Sequence, residues 1–195
     1  MARLKEYNGY YCESEYEYAF IGFLETEGWI YSSGNNISRV TKRDVLIADD
    51  FKKFIVDTNP DLTEDEVTQI FDNVRLVGSE SDFATLHKVY GWMVNGIQFT
   101  PQDGIARMIP LIDFKKDSNK NIFRVVNQFT VEYTNNGQKE NRRPDVLLFV
   151  NGMPLCVIEL KNPADANATI YDAWEQINIR YWRDIPHLLH YCTLA

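Results

Sequence analysis

The sequence predicts an α/β fold in which helices flank a central mixed β-sheet. Two apolar runs within residues 142–163 flank Asn151 and Gly152, a strong short-range hairpin signal. A third strand-like run lies upstream at residues 121–133, and a helical pattern follows the hairpin over residues 170–181. The order of two strands followed by a helix indicates a mixed sheet with helical cover.

Length and composition indicate one folded unit without a membrane segment. The chain has 195 residues, of which 45% are hydrophobic and 13% aromatic, enough to bury a core. No repeat or Gly/Ser linker divides it, so we interpret residues 1–195 as one domain. No apolar run approaches the roughly 18 to 20 residues of a spanning helix, and the first residues lack a signal-peptide pattern. Because the apolar run at residues 190–195 stops abruptly, we expect a longer chain.

Cysteine content and charge bear on compartment and partners. The three cysteines, Cys12, Cys156 and Cys192, are far apart and form no CxxC pair, so a reducing cytoplasm is expected. The net charge of −8 argues against strong unaided binding to nucleic acid, since nonspecific affinity comes mainly from lysine and arginine. If the chain cuts DNA, something else is expected to deliver it.

The first predicted helix covers residues 13–28. Apolar side chains recur there at helical spacing, and Gly28 follows the last of them, where a helix would end. The apolar stripe consists of Phe20, Ile21, Phe23 and Leu24. The first turns carry three acids, which the helix dipole favours at that end: Glu13, Glu15 and Glu17.

A second helix and a strand are predicted further along. Thr63 and Glu66 have capping-box spacing at the start of a helix within residues 59–74, whose apolar face comprises Val67, Ile70 and Phe71. Residues 121–133 are rich in β-branched and aromatic side chains and lead into a turn-prone segment at residues 134–137. They are therefore expected to form one strand that leaves for a loop.

The loop length of the hairpin decides which side chains share a face. With a three-residue loop Val150 pairs with Pro154, and Asp145 lies directly opposite Glu159, about 5 Å away. With a two-residue loop Ile158 takes that place and Glu159 turns away, since a shift of one residue flips every side chain. A shared face for the two acids therefore requires the longer loop or a bulge.

Asp145, Glu159 and Lys161 interrupt otherwise apolar strands. Because burying an unpaired charge is costly, these three residues indicate a functional site. Strand alternation places Lys161 on the face of Glu159 and Leu160 on the other. Two carboxylates so close repel each other and would hold a hard divalent cation, for which Mg²⁺ is the natural candidate. The pattern predicts phosphodiester hydrolysis, in which the ion activates a water and Lys161 positions it or neutralises developing charge.

The string RPDVLLFVNGMPLCVIELKNP, residues 143–163, resembles the nuclease region of the R subunit of type I restriction enzymes, within the PD-(D/E)xK nuclease superfamily. NQFTV at residues 127–131 is similar to that family's upstream strand, and ESEYEYAFIGFLETEGW is similar to its first helix. The resemblance implies a restriction-endonuclease-like fold and metal-dependent endonucleolytic cleavage of duplex DNA.

The resemblance also implies roles for individual residues. Asp145 and Glu159 would be metal ligands and Lys161 the catalytic lysine. The backbone carbonyl of Leu160 would be a further ligand. Of the acids on the first helix, Glu17 is the best candidate to join the metal site.

The helix after the hairpin carries one more motif of that family. Its predicted apolar stripe, which ends before Pro186, contains Ile170, Ala173, Trp174, Ile177 and Tyr181. The family has a QxxxY motif on this helix, which Gln176 matches as a catalytic residue, whereas Tyr181 lies one residue too far along. Alternatively, Gln176 and Arg180 form an exposed pair four residues apart.

By the same resemblance, the full-length R subunit is several times longer and carries an ATP-driven translocase. It works with modification (M) and specificity (S) subunits on duplex DNA. This sequence has no GxxxxGK[ST] phosphate-binding loop, so ATP is expected to bind only the longer chain.

Two rival functions fit the same three charged residues. A docking or DNA-binding module could retain them as a vestigial nuclease site. In a purely structural interpretation, Asp145 is a turn residue and Glu159 with Lys161 an edge-strand ion pair. A RecB-like or Holliday-junction nuclease would share the three residues without the surrounding string.

Other conspicuous side chains are interpreted as structural. His187 and His190 form an HxxH pair but have no acidic or cysteine partners at metal spacing. Trp174 and Trp182, which could stack on bases, lie at helical spacing and are assigned to the core.

Overall fold

Four strands form the central sheet of the computed structural model, which describes residues 13–78, 81–115, 118–161 and 169–194. The helices are α1 (Glu13–Thr26), α2 (Ala48–Thr58), α3 (Glu64–Arg75), α4 (Asp82–Asn95), α5 (Ile170–Glu175), α6 (Trp182–Asp184) and α7 (Pro186–Leu189), with a 3-10 turn at Gly34–Asn36 and a π-helical segment at Gln176–Tyr181. The strands are β1 (Ile30–Ser33), β2 (Ile97–Phe99), β3 (Arg107–Ile109), β4 (Phe123–Asn127), β5 (Val131–Asn135), β6 (Gln138–Arg142), β7 (Val146–Val150) and β8 (Met153–Ile158). The predicted α/β class is confirmed. Cys12 and the Asn162-Pro163 end of the family-like string lie outside the described residues.

The central sheet is mixed, as the sequence predicts. Its strand order is β1-β4-β7-β8, with β1 parallel to β4 and the other neighbours antiparallel. The single strand predicted over residues 121–133 is wrong, because the chain forms β4 and β5 there. Gln128 lies between them with a positive φ of 54°, a conformation that no regular strand contains. The break lets β5 leave the central sheet and pair with β6.

The register of the β7-β8 hairpin decides between the two loop lengths. Val150 pairs with Met153 across a two-residue turn, so the three-residue loop is wrong. A β-bulge at Leu155 then adds one residue to β8 and restores the face that the shorter loop would have lost. Asp145 and Glu159 directly follow the last ladder pair and therefore lie opposite each other.

The turn of this hairpin is locked against the segment that leads into α2. Asn151 and Gly152 have positive φ values of 50° and 77°, as a type I′ turn requires. The buried Asn151 amide accepts from the Ile122 N–H at 2.7 Å and donates to the Leu111 carbonyl at 2.9 Å. The Gly152 carbonyl accepts from the Ile47 N–H at 2.9 Å. These contacts fix where the hairpin turns and hence its register.

Helices α1 and α3 begin and end close to their predicted positions. α1 ends at Thr26, and Gly28 follows it with a φ of 89°. Thr63 and Glu66 form both hydrogen bonds of the predicted capping box. One prediction for α1 is wrong, because Phe23 is 60% exposed. The helix instead buries Glu17, Ile21 and Leu24.

Two hydrophobic clusters hold the helices on the sheet. The smaller one joins α1 to β4 and β7 through Ile21, Leu24, Val125 and Val146. The larger one fills the space among α2, α3, α4, the central sheet and the C-terminal helices. An ion pair adds a further anchor, since Arg124 of β4 contacts Asp50 of α2 through two hydrogen bonds of 2.6 and 2.8 Å. Among the helices in the described ranges, none is long and apolar enough to cross a membrane.

The helix after the hairpin departs from its predicted apolar stripe. Ile170 and Trp174 are 89% and 50% exposed, so assigning them to the core is wrong, whereas Ile177 and Tyr181 are buried as expected. Ile170 and Trp174 lie in α5, before the π-helical segment Gln176–Tyr181, which inserts one residue and so shifts Ile177 and Tyr181 around the axis relative to them. A stripe projected on the regular helical period therefore no longer matches the face that packs on the core.

Candidate active site

Asp145 and Glu159 meet at one end of the β7-β8 hairpin. Asp145 immediately precedes β7 and Glu159 immediately follows β8. Asp145 Oδ2 accepts a hydrogen bond of 2.9 Å from the backbone N–H of Leu160. This bond closes the end of the hairpin and orients the Asp145 carboxylate toward its partner.

The Glu159 carboxylate is held in a buried position from two sides. Its side chain is 1% exposed. Gln176 Nε2 donates to Oε2 at 2.7 Å, and the Tyr181 hydroxyl donates to Oε1. Burial, and after it the negative charge of Asp145, raises the pKa of Glu159 to about 8. The two acids therefore favour either a shared proton or a bound cation.

Lys161 completes the group of charges. Its ammonium nitrogen lies 4.0 Å from Glu159 Oε2 and donates to Gln176 Oε1 at 3.3 Å. The Lys161 side chain is 24% exposed, so its charge reaches the surface beside a carboxylate that does not. The structure thus brings together three of the charged residues that the sequence singles out.

Gln176 and Tyr181 reach the site together because of the π-helical segment. Gln176 Nε2 lies 2.9 Å from the Tyr181 hydroxyl, and both contact Glu159. Burial, and after it the charge of Glu159, raises the pKa of Tyr181 above its usual range, so the hydroxyl stays a donor. The sequence predicts that Tyr181 fits this motif less well than Gln176, because it lies one residue too far along the chain. The wider π-helical turn takes up that extra residue and brings the two side chains together. Arg180 contacts Glu175 at 3.8 Å, so Gln176 and Arg180 are not the exposed pair.

Glu17 lies on α1 beside the end of β4. Its carboxylate is buried and accepts from Asn127 Nδ2 at 2.6 Å and from Gln128 Nε2 at 3.1 Å. The Tyr31 hydroxyl donates in turn to Asn127 Oδ1 at 3.1 Å. Glu17 is thus fixed by neutral amides, an arrangement that sequence patterns do not indicate.

Glu13, at the start of α1, is influenced by the charges of Asp145 and Lys161. It lies one helical turn before Glu17, on the same face. Burial, and after it the charge of Asp145, raises the pKa of Glu13, while Lys161 lowers it. The sequence leaves Glu13 as one of three first-helix acids that could join the metal site and favours Glu17, and the one-turn spacing between the two is the signal that connects Glu13 to the same face.

The histidines and tryptophans stay outside this site. His190 Nε2 lies 2.8 Å from Asp82, and burial lowers the pKa of His187 to about 4. The buried Nε2 of His187 has no hydrogen-bond partner among the described residues. Trp174 is half exposed, whereas Trp182 packs against the core as predicted.

The donor set at Asp145 and Glu159 suits a hard cation such as Mg²⁺. Within the described ranges, no group of three or more His, Cys, Asp or Glu side chains could hold a metal ion by themselves. Mg²⁺ does not need such a cage, because it is commonly bound through one or two carboxylates and keeps several waters. The two facing carboxylates of Asp145 and Glu159 meet that requirement.

The match to known proteins extends over nearly the whole chain. The family described as type I restriction enzyme R protein N terminus matches residues 10–195. The putative type I restriction enzyme MjaIXP endonuclease subunit of Methanocaldococcus jannaschii is 34% identical over 188 residues, which cover 91% of this chain and 18% of that protein. The type I restriction enzyme HindI endonuclease subunit of Haemophilus influenzae is 29% identical over 193 residues, covering 92% and 17%. The chain thus spans less than a fifth of these relatives. With the family matched from residue 10 to the last residue, this chain belongs to the type I restriction enzyme R protein N-terminal family.

Proposed function

We propose that this chain is the endonuclease domain of a type I restriction enzyme R subunit and cleaves duplex DNA by Mg²⁺-dependent phosphodiester hydrolysis. The observation that carries the proposal is the buried Glu159 carboxylate facing Asp145, with Lys161 beside it. Burial, and after it the charge of Asp145, raises the pKa of Glu159, and a purely structural ion pair would need neither. A carboxyl group whose pKa is raised by burial and by a second acid is typical of catalytic sites.

Mg²⁺ would be held by Asp145, by Glu159 and by the backbone carbonyl of Leu160, with waters at its other positions. When bound, the ion lowers the pKa of a water and stabilises negative charge on a phosphate. Glu17 of the first helix, whose carboxylate accepts hydrogen bonds from Asn127 and Gln128, is proposed as the further acid of the metal site.

Lys161 is the residue that we propose acts on the substrate directly. Its ammonium group lies at the surface end of the site and can orient the attacking water or neutralise charge that develops on the phosphate. Gln176 holds Lys161 through its Oε1 and Glu159 through its Nε2, so one amide sets the distance between the two charges. Tyr181 supports the same carboxylate from the other side. Both residues are positioning residues whose contacts fix the geometry before substrate arrives.

We further propose that the domain works inside a longer R subunit that hydrolyses ATP and assembles with M and S subunits. The relatives are named endonuclease subunits of type I restriction enzymes and are more than five times longer than the region matched. The net charge of −8 supports the same view, because an acidic domain depends on other regions to bring DNA to it.

The test is cleavage of circular DNA by the full-length R subunit in its complex, with Mg²⁺ and ATP. Asp145→Ala and Lys161→Ala are expected to cut at below about 1% of the wild-type rate while ATP hydrolysis continues. Asp57→Ala and Lys53→Ala remove an exposed ion pair of the same chemistry on α2 and serve as matched controls. Unchanged cutting by the Asp145 and Lys161 variants would refute the proposal and leave a docking module.

A further inference from the structure

A two-stranded arm, defined as residues 131–142 with strands β5 and β6, begins and ends at the candidate active site. The chain enters it just after Gln128 and returns just before Asp145. The Gln128 N–H donates to the Asp145 carbonyl at 3.0 Å and closes the base of the arm. Asn136 and Gly137, with φ values of 48° and 78°, form a tight turn at its tip. The arm is therefore a short ribbon fixed to the residue that carries the proposed chemistry.

The inner face of the arm is packed and its acid is neutralised. Val131 and Tyr133 are buried. The Glu140 carboxylate accepts from the Tyr133 hydroxyl at 2.6 Å and from Asn135 Nδ2 at 2.8 Å. Because these neutral donors hold Glu140 on the inner side, its charge is partly offset and turned away from the opposite face.

The base of the arm is tied to the helices that carry Gln176 and Tyr181. Arg142 Nε donates to Asp184 Oδ2 at 2.7 Å, and Asp184 belongs to α6, the direct continuation of the π-helical segment. The arm is therefore attached to both sides of the candidate active site, at Asp145 and at Asp184. A surface built in this way holds its position relative to Asp145.

The outer face presents hydrogen-bond donors and positive charge. In the register of the arm, Thr134 pairs with Lys139 and Glu132 with Asn141, and these four side chains point away from Val131 and Tyr133. Thr134, Lys139 and Asn141 are exposed, as is Arg143 just beyond β6. Burial lowers the pKa of Arg39, and the charges of Asp44 and Glu132 partly offset that shift, so a cation lies near the one acid on this face. Within the described ranges, Lys139 and Arg143 form no ion pair.

We propose that this outer face binds the phosphate backbone of the DNA strand that the site cuts. The inference rests on the proposed nuclease function and deepens it. Lysine, arginine, threonine and asparagine side chains are the usual partners of phosphate oxygens, and such contacts position DNA without reading its sequence. A two-stranded ribbon also has the dimensions of a groove of duplex DNA. The arm thus holds DNA at the site in a chain whose overall charge of −8 would repel it.

The experiment compares the double variant Lys139→Ala/Arg143→Ala with wild type in the full-length complex, at a series of NaCl concentrations. The measured quantity is the cleavage rate of circular DNA, with ATP hydrolysis followed in parallel. A matched control, Lys53→Ala/Lys88→Ala, removes two positive charges from the exposed surfaces of α2 and α4. Thermal unfolding of the variants checks that folding is retained, and Asp145→Ala reports separately on the nuclease site.

Two lost phosphate contacts lead to a specific salt dependence. The ratio of wild-type to variant cleavage rate should be largest at low salt and fall about sevenfold as NaCl rises from roughly 50 to roughly 150 mM, because each contact changes the slope of log affinity against log salt by about 0.9. ATP hydrolysis and the control variant should be unchanged.

A ratio near one at all salt concentrations would overturn the proposal. A deficit that does not vary with salt would overturn it as well, since it would indicate a structural role or a protein partner. If Asp145→Ala is inactive in either case, only the arm proposal fails. If Asp145→Ala still cuts, the nuclease proposal fails, and the arm proposal fails with it.

Discussion

Replacing Tyr181 by Phe tests whether the π-helical segment serves the site. The Tyr181 side chain is 1% exposed, and its hydroxyl donates to Glu159 Oε1 and lies 2.9 Å from Gln176 Nε2. The substitution removes one oxygen and leaves the ring, so the core packing is kept. Glu159 Oε1 then has no donor in a place that water does not reach.

The lost hydrogen bond to Glu159 should lower both the stability of the chain and its affinity for a cation. A hydrogen bond to a charged group contributes about 1.5 to 3 kcal/mol, and the variant should lose about that much stability whenever Glu159 is ionised. Because the hydroxyl lowers the pKa of Glu159, its removal raises that pKa further and makes cation binding compete with a proton. Loss of an outer contact to a metal-binding residue commonly costs about 10- to 100-fold in affinity or activity.

Tyr191→Phe provides a matched control. Tyr191 is also a buried tyrosine, 2% exposed, and its hydroxyl donates to the Val74 carbonyl at 2.6 Å. Both variants should lower the free energy of unfolding, measured by urea denaturation. Only Tyr181→Phe should slow DNA cleavage by the full-length complex and raise the Mg²⁺ concentration needed for half-maximal rate. Equal cleavage by the two variants would show that Tyr181 is merely a core residue.

Three further outcomes are expected from urea denaturation. Gly152→Ala should destabilise the chain by several kcal/mol more than Gly137→Ala, because both have φ near 78° but only at Gly152 would a Cβ meet a backbone oxygen, at 2.3 Å. His187, with its pKa lowered to about 4, contributes stability that is fully present above the unfolded pKa of about 6.5 and lost as pH falls toward 4; His187→Asn should remove that loss and His87→Asn should not. Arg124→Met should cost about 3 kcal/mol by stranding a buried carboxylate, and replacing both partners of that pair should cost less.

The position of the site residues could be predicted best at the β7-β8 hairpin, because the turn and the strand alternation that determine it are encoded in neighbouring residues. An Asn-Gly turn and strand alternation reduce the position of Glu159 to two alternatives, and only the bulge at Leu155 decides between them. Pro154 carried a signal for it, since a proline cannot donate to a ladder and within sheets is found at edges and bulges. Single-sequence patterns do not say which neighbouring residue the bulge inserts, because that depends on how the turn packs on α2.

The break in the strand at Gln128, which brings its amide to Glu17 of α1, could not be predicted from the local sequence. Residues 121–133 have the composition of one continuous strand, yet the chain turns at Gln128 so that its amide reaches Glu17. The turn packs closely against Gly34, where a Cβ would lie 2.6 Å from the Phe129 Cα. Two segments that each lie more than 90 residues before Gln128, at Glu17 and Gly34, thus decide its conformation, and no sequence window around Gln128 contains that information.

The spacing between Gln176 and Tyr181 shows how a motif can survive an inserted residue. In an α-helix the fifth residue along lies about 140° around the axis from the first, so Tyr181 would point away from Glu159. A π-helical turn bonds residue i to residue i+5 and returns the side chain to the same side. In the part of the chain that the structure describes, this less regular backbone is confined to Gln176–Tyr181, where both side chains contact one buried carboxylate, and an α-helix resumes at Trp182. Leaving that carboxylate without hydrogen-bond donors would cost more free energy than one widened turn. The two side chains therefore stay in contact with Glu159, although they are five residues apart in this sequence instead of four.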